Sequence, residues 1–172
     1  MKHAFVIGGS GMLAGTSLWL AQNGYHVSIV GRTEKKMKSL LLQTENITPL
    51  YLDYQDESEF RHGIQHSIKQ NGPIQLVVAW IHRVTGNPVR VMMDELSHQI
   101  NDWDLYHVLG SNSNIEEIRR GINTPKGCRY HQVQLGFVIE NDVSRLNTRK
   151  MFMSLDNLNP GISTHKGGFY EK

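Results

Sequence analysis

The chain has 172 residues, 39% of them hydrophobic, which predicts one globular domain with a buried core. Lys and Arg number 18 against 16 Asp and Glu, and no concentrated basic cluster stands out, which argues against a nucleic-acid partner. A single cysteine, the lack of an apolar run long enough to cross a bilayer and the lack of a signal-peptide pattern predict a cytoplasmic protein with no internal disulfide and no membrane partner.

The first half of the chain alternates apolar runs with helical patterns. Strands are predicted at 4–7, 25–30 and 47–52. A helix is predicted over 12–22, and a second follows Thr33 as its N-cap. A capping box that starts at Asp56 begins a third helix, whose apolar positions are Phe60, Ile64 and Ile68. Asn71-Gly72-Pro73 ends that helix.

The second half repeats this alternation. The apolar run 74–81 predicts a buried strand, and Asn87-Pro88 begins a helix with an apolar stripe of Val89, Met92, Leu96 and Ile100. A fifth strand is predicted over 103–109. Ser113 with Glu116 forms a further capping box, and 128–139 reads as a sixth strand.

Strand–helix alternation with short connections predicts an α/β protein in which helices cover both faces of a parallel sheet. Six strands in two halves favour the doubly wound order 3-2-1-4-5-6 of the Rossmann fold, in a single domain over residues 1–145. From residue 146 the pattern dissolves, so 146–172 is predicted to be an irregular tail.

The turn after the first strand is rich in glycine. Gly8, Gly9, Ser10 and Gly11 precede Met12 and Leu13, and both G-x-G-x-x-A and G-x-x-G-x-x-A spacings fit when they end at Ala14. Glycines let the backbone approach a pyrophosphate, which the free N–H groups of the following helix attract. The pattern therefore favours a dinucleotide site; the alternative is a tight turn that binds no ligand.

The end of the second strand separates two cofactors. NAD sites place Asp or Glu there to bind the ribose 2′-hydroxyl. This chain has Gly31-Arg32-Thr33 instead, and an arginine suits a 2′-phosphate, with Lys35 or Lys36 in support. The sequence thus predicts NADP(H) in preference to NAD(H); the alternative for Arg32 is an exposed residue beside a cap.

Together with Leu52-Asp53-Tyr54 and VVAW at 77–80, these residues resemble the short-chain dehydrogenase/reductase superfamily over residues 1–145. The segments AWIH, YHVLGS and YHQVQLGFVIE resemble a group of short Bacillus-type members. The resemblance implies a Rossmann fold and a nicotinamide cofactor, with Asp53 near the adenine and the alanine of an Asn-Asn-Ala-Gly turn at Ala79. The cofactor-binding residues so predicted are Gly8, Gly9, Ser10, Gly11, Met12, Leu13, Arg32, Thr33, Asp53, Tyr54, Ala79, Trp80 and Ile81.

The chain departs from that superfamily in its catalytic residues. The family uses a serine after the fifth strand, where Ser111 stands, and a Tyr-x-x-x-Lys pair on the next helix. None of the six tyrosines here has a lysine four residues on. His82 follows the fourth strand at the mouth of the expected crevice, so Ser111 and His82 are the candidate catalytic residues. The alternative for His82 is a polar loop residue.

Other reactive residues are interpreted as structural. His62 and His66 share a helix face opposite the apolar stripe and lack the glutamate of a zinc motif, so no metal site is predicted. Trp80 is a candidate to stack on or wall the nicotinamide, with core packing as an equal alternative. His107 and His131 fall inside strands, and Cys128 is expected to be a packed thiol.

Three functions remain open from the sequence. The preferred one is an NADP(H)-dependent oxidoreductase that acts on a small carbonyl or alcohol. The alternatives are a non-catalytic NADP(H)-binding sensor or interaction module, and a structural Rossmann domain without cofactor affinity. The substrate is not identified by any motif, and homo-oligomerisation is left open.

Overall fold

The computed structural model describes residues 1–81, 87–140 and 143–147. In that part of the chain the strands are β1 Lys2–Ile7, β2 Tyr25–Gly31, β3 Ile47–Tyr51, β4 Leu76–Trp80, β5 Trp103–Leu109, β6 Cys128–Gln134, β7 Gly136–Glu140 and β8 Val143–Asn147. The helices are α1 Ala14–Gln22, α2 Glu34–Leu41, α3 Glu57–Asn71, α4 Pro88–Leu96 and α5 Ile115–Arg120.

Six strands form a parallel sheet in the order β3-β2-β1-β4-β5-β6, which confirms the doubly wound fold. The central strand β1 pairs in parallel with β2 on one side and β4 on the other. Chain order reverses between these two neighbours, and this reversal opens a crevice at the carboxyl ends of the strands. β7 and β8 pair with each other, antiparallel, in a separate two-stranded sheet.

Alternate residues of the central strands belong to two hydrophobic cores, one on each face of the sheet. Val6 lies in the first core, where it joins Leu20 of α1. Ile7 lies in the second core with Phe60 of α3 and Met92 of α4. Full burial of a side chain of this size contributes about 1.5–3 kcal/mol, so both faces of the sheet hold their helices strongly.

Two predicted helix caps are present. The Asp56 carboxylate accepts a hydrogen bond from the Glu59 amide at 2.9 Å, although the Glu59 carboxylate binds the Asp53 amide rather than completing the box at Asp56. The Asn87 side chain accepts from the Arg90 amide at 3.0 Å, with proline at the first helical position. Each cap satisfies an amide that the helix itself leaves unpaired.

Three local predictions are wrong. The first helix begins at Ala14 rather than residue 12, because the glycine turn continues through Leu13. Asn114, not Ser113, caps α5, since the Ser113 amide binds the Gly110 carbonyl and the helix starts one residue later. Ile100 is fully exposed, because α4 ends at Leu96 and helical periodicity stops there.

The sixth strand is also shorter than predicted. β6 ends at Gln134, and Gly136 begins β7, whereas the sequence suggests one strand over 128–139. The alternation of apolar residues continues through both strands, and a period of two does not reveal where a chain leaves a sheet. β8 continues past Arg145, the last residue of the predicted domain.

A buried polar network ties β1 to β2 and α3 at the amino-terminal end of the sheet. His3 Nδ1 lies 2.8 Å from the Gly72 carbonyl and donates to it, so the neutral ring accepts at Nε2 from the Ser28 hydroxyl at 2.9 Å. Ser28 in turn accepts from Ser67 at 2.7 Å and from Asn71 at 3.2 Å. Burial lowers the pKa of His3, because the charged ring would lose its hydration.

His107 on β5 is a second buried histidine. Its Nδ1 lies 2.9 Å from the hydroxyl of Tyr130 on β6, and only 7% of the residue is exposed. Burial lowers the pKa of His107 to about 4. His107 is therefore neutral in the folded protein at pH 6, whereas an unfolded histidine, with its ordinary pKa of about 6.5, is mostly protonated at that pH. Burial shifts the pKa of His3 in the same direction.

We expect the free energy of unfolding to fall as pH decreases from about 6.5 toward about 4, because the unfolded state binds more protons in that window. Each buried histidine contributes a slope of up to about 1.4 kcal/mol per pH unit. Urea titrations across this range measure it. His107→Gln should flatten the slope, and a slope equal to that of the unmodified protein would contradict the assignment.

Candidate functional site

The carboxyl ends of three strands meet at one level of the crevice. Ile7 pairs with Val30 of β2 and with Ala79 of β4, so the next residue on each strand lies at that level. These residues are Gly8, Gly31 and Trp80. The glycine-rich turn, the end of β2 and the end of β4 therefore form one surface, which is where doubly wound folds bind ligands.

The turn from Gly8 to Leu13 is folded around one carbonyl. The amides of Gly11 and Leu13 both donate to the Gly8 carbonyl, at 3.2 and 3.4 Å. Gly8 itself has φ +82°, a conformation that residues with side chains rarely adopt. Within the described part of the chain, the amides of Ser10 and Met12 donate to no other residue.

Gly9 is required by packing inside the protein. A methyl group there would lie 2.7 Å from Ser17 Oγ and 2.8 Å from Ile29 Cγ2, closer than van der Waals contact allows. The Ser17 hydroxyl, on α1, lies 3.2 Å from the Gly9 carbonyl and 3.1 Å from the Leu13 carbonyl. This serine holds the turn against the helix.

Gly11 has space beside it instead. A methyl group there would meet only the Gly8 carbonyl, at 3.9 Å. α1 begins directly after the turn, and its N-cap residue Leu13 supplies no side-chain acceptor. Amides without an acceptor at a helix start, beside open space, suit a phosphate group. The turn thus fits the pyrophosphate of a dinucleotide.

The end of β2 adds a cation beside the turn. Ser10 Oγ lies 3.0 Å from the position of a Cβ on Gly31, and Arg32 follows that glycine directly. Arg32 is 69% exposed, and its guanidinium is 3.7 Å from the Asp53 carboxylate. Such an exposed ion pair contributes about 0–1 kcal/mol, so the guanidinium is available to a more highly charged anion.

The other residues predicted near the ribose and adenine lie around this point. Asp53 Oδ1 accepts from the Gln55 amide at 3.0 Å, which fixes the loop after β3. Tyr54 is partly buried against the second core. Thr33 is exposed at the N-cap of α2 and makes no side-chain capping bond.

The predicted residues at the end of β4 pack on different faces of the sheet. Ala79 is fully buried in the second core, and Ile81 packs against that core as well. Trp80 points to the opposite face, packs against the first core and is partly exposed. Its Cδ1 lies 3.5 Å from the position of a Cβ on Gly8, and its Cη2 lies 3.9 Å from the same position on Gly110.

Ser111 lies on the turn after β5, next to Gly110. Its hydroxyl is 3.4 Å from Asn112 Oδ1, a long and exposed contact. The Gln134 amide group, at the end of β6, lies 3.0 Å from the carbonyls of both Ser111 and Ser113 and holds the turn. His82, the second predicted catalytic residue, lies outside the described residues.

Sequence reasoning missed two residues that support the site. Ser17 had a signal, because it is a small polar residue on the apolar stripe of α1 one turn from the glycines. Gln134 had none, since its contacts to the turn after β5 are 21 to 24 residues distant in sequence.

The remaining reactive residues are placed as the sequence predicts. His62 and His66 are exposed on α3, and burial raises the pKa of the Cys128 thiol to about 12. His131 Nε2 contacts Asp104 at 3.1 Å.

Among the described residues, no three His, Cys, Asp or Glu side chains form a group suited to a metal ion, and none of the helices is long and apolar enough to span a bilayer.

No protein-family model and no curated protein match this chain. Solved structures do. A double mutant of a short-chain dehydrogenase/reductase from Serratia marcescens is 19% identical with a TM-score of 0.57, over 64% of this chain and 56% of that one. A short-chain dehydrogenase from Burkholderia cenocepacia in complex with NADP is 18% identical with a TM-score of 0.56, over 63% and 55%.

A mutant actinorhodin polyketide ketoreductase with NADPH is 13% identical with a TM-score of 0.57, over 64% of this chain and 53% of that one. The match thus spans little more than half the length of these proteins. At such identities the likeness establishes the fold: this chain has the Rossmann-type fold of the short-chain dehydrogenases/reductases.

Two alanine substitutions should separate the roles of the glycines. Gly9→Ala should destabilise the protein by about 1–3 kcal/mol, because the methyl group overpacks the contact with Ser17 and Ile29. Gly11→Ala should leave the thermal midpoint nearly unchanged but weaken NADPH binding about tenfold, because the methyl group would project into the open space beside the turn that a phosphate would need. Thermal denaturation and equilibrium binding measure the two effects. Loss of stability in the Gly11 variant would show that this glycine serves the fold.

Proposed function

We propose that this chain is an NADP(H)-binding member of the short-chain dehydrogenase/reductase superfamily and an oxidoreductase that acts on a small carbonyl or alcohol. The observation that carries the proposal is the juxtaposition of the glycine turn with Arg32. The amides of Ser10 and Met12 would bind the pyrophosphate, and the guanidinium would bind the 2′-phosphate.

Charge explains the cofactor preference. A ribose 2′-phosphate carries more charge than the single Asp53 carboxylate, and an arginine binds phosphate oxygens through two parallel N–H donors. The phosphate would therefore compete successfully for Arg32. NAD(H) has only a hydroxyl there, and residue 32 offers no carboxylate to bind it.

Superfamily membership is supported by motif and fold together. The glycine turn, the arginine after β2 and the strand order 3-2-1-4-5-6 occur in the arrangement that the resemblance implies. Solved proteins of the same fold include one in complex with NADP, one with NADPH and one with NADH. These structures support a nicotinamide dinucleotide as the proposed cofactor, and Arg32 supports NADP(H) as its preferred form.

For catalysis we propose Ser111 and His82. When bound, the cofactor supplies or accepts a hydride. Ser111, on the turn after β5, would hydrogen-bond the oxygen of the substrate, and His82 would exchange a proton with that oxygen. Because the chain has no Tyr-x-x-x-Lys pair, these two residues would replace the family's usual tyrosine and lysine.

A cytoplasmic location remains a prediction from the single cysteine.

The absence of Tyr-x-x-x-Lys also favours a second candidate, a non-catalytic sensor that binds NADP(H) and reports its level to a partner. In that case the glycine turn and Arg32 keep their roles, and Ser111 has none. The two candidates therefore share the binding site and differ only in turnover.

Arg32→Ala should weaken NADPH binding about 10- to 100-fold and change NADH binding less than about twofold, because charge-assisted hydrogen bonds contribute about 1.5–3 kcal/mol. Isothermal titration measures both ligands. The exposed Arg120 on α5 offers a matched control, since its substitution by alanine removes the same charge away from the site. An equal loss for both ligands would contradict a 2′-phosphate site.

NADPH oxidation over a panel of aldehydes and ketones tests the oxidoreductase. We expect turnover with at least one carbonyl, reduced about 100-fold by Ser111→Ala with NADPH affinity unchanged. Ser113→Ala, a neighbouring change on the same turn, is the control. Tight NADPH binding without turnover of any carbonyl would contradict catalysis and favour the sensor.

A further inference from the structure

The indole of Trp80 bridges the two sides of the crevice. One end abuts the glycine turn, with Cδ1 3.5 Å from the position of a Cβ on Gly8. The other end reaches the turn after β5, with Cη2 3.9 Å from the same position on Gly110. The ring is therefore held between the glycine turn and the turn that carries Ser111.

Trp80 forms part of the crevice surface and is not wholly buried in the core. It packs against the first core, yet the residue remains partly exposed at the carboxyl end of β4. The backbone of Gly8 and that of Gly110 approach opposite ends of the indole closely enough that a Cβ on either would be in van der Waals contact with it. A ring fixed in this way loses little conformational freedom when a ligand packs on it.

A dinucleotide with its pyrophosphate on the glycine turn extends across the switch point between β1 and β4. With the 2′-phosphate end at Arg32 beside β2, the nicotinamide half lies on the other side, over β4 and β5. Trp80 is the last residue of β4, and its side chain leads from Gly8 toward β5. The nicotinamide half must pass over this indole.

We propose that Trp80 is a platform for the nicotinamide ring and makes the site discriminate the oxidised from the reduced cofactor. The ring carries a positive charge in NADP⁺ and is neutral in NADPH. Tryptophan attracts cations at its face more strongly than phenylalanine or tyrosine does. Trp80 therefore favours NADP⁺ over NADPH relative to a site with an aliphatic side chain. The inference rests on the proposed NADP(H) function.

Titration calorimetry on the full chain tests the platform with three ligands: NADP⁺, NADPH and adenosine 2′,5′-bisphosphate, which lacks the nicotinamide half. Trp80→Leu should lower the affinity for NADP⁺ relative to NADPH by roughly three- to tenfold. The affinity for the bisphosphate should stay unchanged. Trp80→Phe, which keeps an aromatic ring and should fold in any case, should give a smaller loss in the same direction.

Trp19→Phe provides the matched control, because Trp19 also packs against the first core but lies on α1. It should leave all three affinities unchanged. An unaltered NADP⁺ to NADPH ratio in both Trp80 variants overturns the platform, and so does tighter NADP⁺ binding, which would make the indole a wall against the nicotinamide. In either case, binding of the bisphosphate would still support the proposed NADP(H) site. Failure of the wild-type protein to bind the bisphosphate refutes that site and the platform with it.

Discussion

The parallel pairing of β1 with both β2 and β4 is the constraint on which the rest of the molecule depends. A strand buried between two neighbours must be apolar on both faces, as Ala4 to Ile7 are. β2 and β4 lie on opposite sides of β1, so the chain segments that lead to them diverge at the carboxyl end of β1. The crevice, the glycine turn and the position of Trp80 all follow from that one arrangement.

The turn at this point serves the fold and the site at once. Gly9 lets the turn pack against Ser17 and Ile29, while Gly11 leaves room outward beside amides that have no acceptor among the described residues. A protein interior tolerates little overpacking, and a phosphate requires close backbone approach. The same short segment is therefore tightly packed at Gly9 and open at Gly11, as a bound phosphate would require.

The polar groups at the two ends of the sheet differ in how completely they are hydrogen-bonded or paired. At the amino-terminal end, the His3, Ser28 and Ser67 groups satisfy one another in a buried network, and the described side chains leave no buried polar atom unpaired. At the carboxyl end, Arg32 is exposed and only loosely paired with Asp53. Satisfied polar groups stabilise a fold, whereas loosely paired ones remain available to a ligand.

Local patterns in the sequence were sufficient for the strand order, most helices and the glycine turn. Residues 74–81 read as a buried strand because the apolar run is continuous, and Asn87-Pro88 begins a helix through local backbone geometry. The same patterns failed at residues 128–139, where apolar alternation continues although the chain leaves the sheet after Gln134. They also failed at Ser113, where a turn bond to Gly110 competes with capping.

The sequence by itself determined the fold class, the glycine-rich turn after β1 and the place of Arg32 directly after β2, because each depends on residues close together in the chain. Tertiary structure decided that Ala79 is buried while Trp80 spans the crevice, that Ser17 and Gln134 hold the two turns, and that burial lowers the pKa of His107. Those outcomes depend on which face of a strand a side chain occupies and on partners distant in sequence, and packing alone sets both.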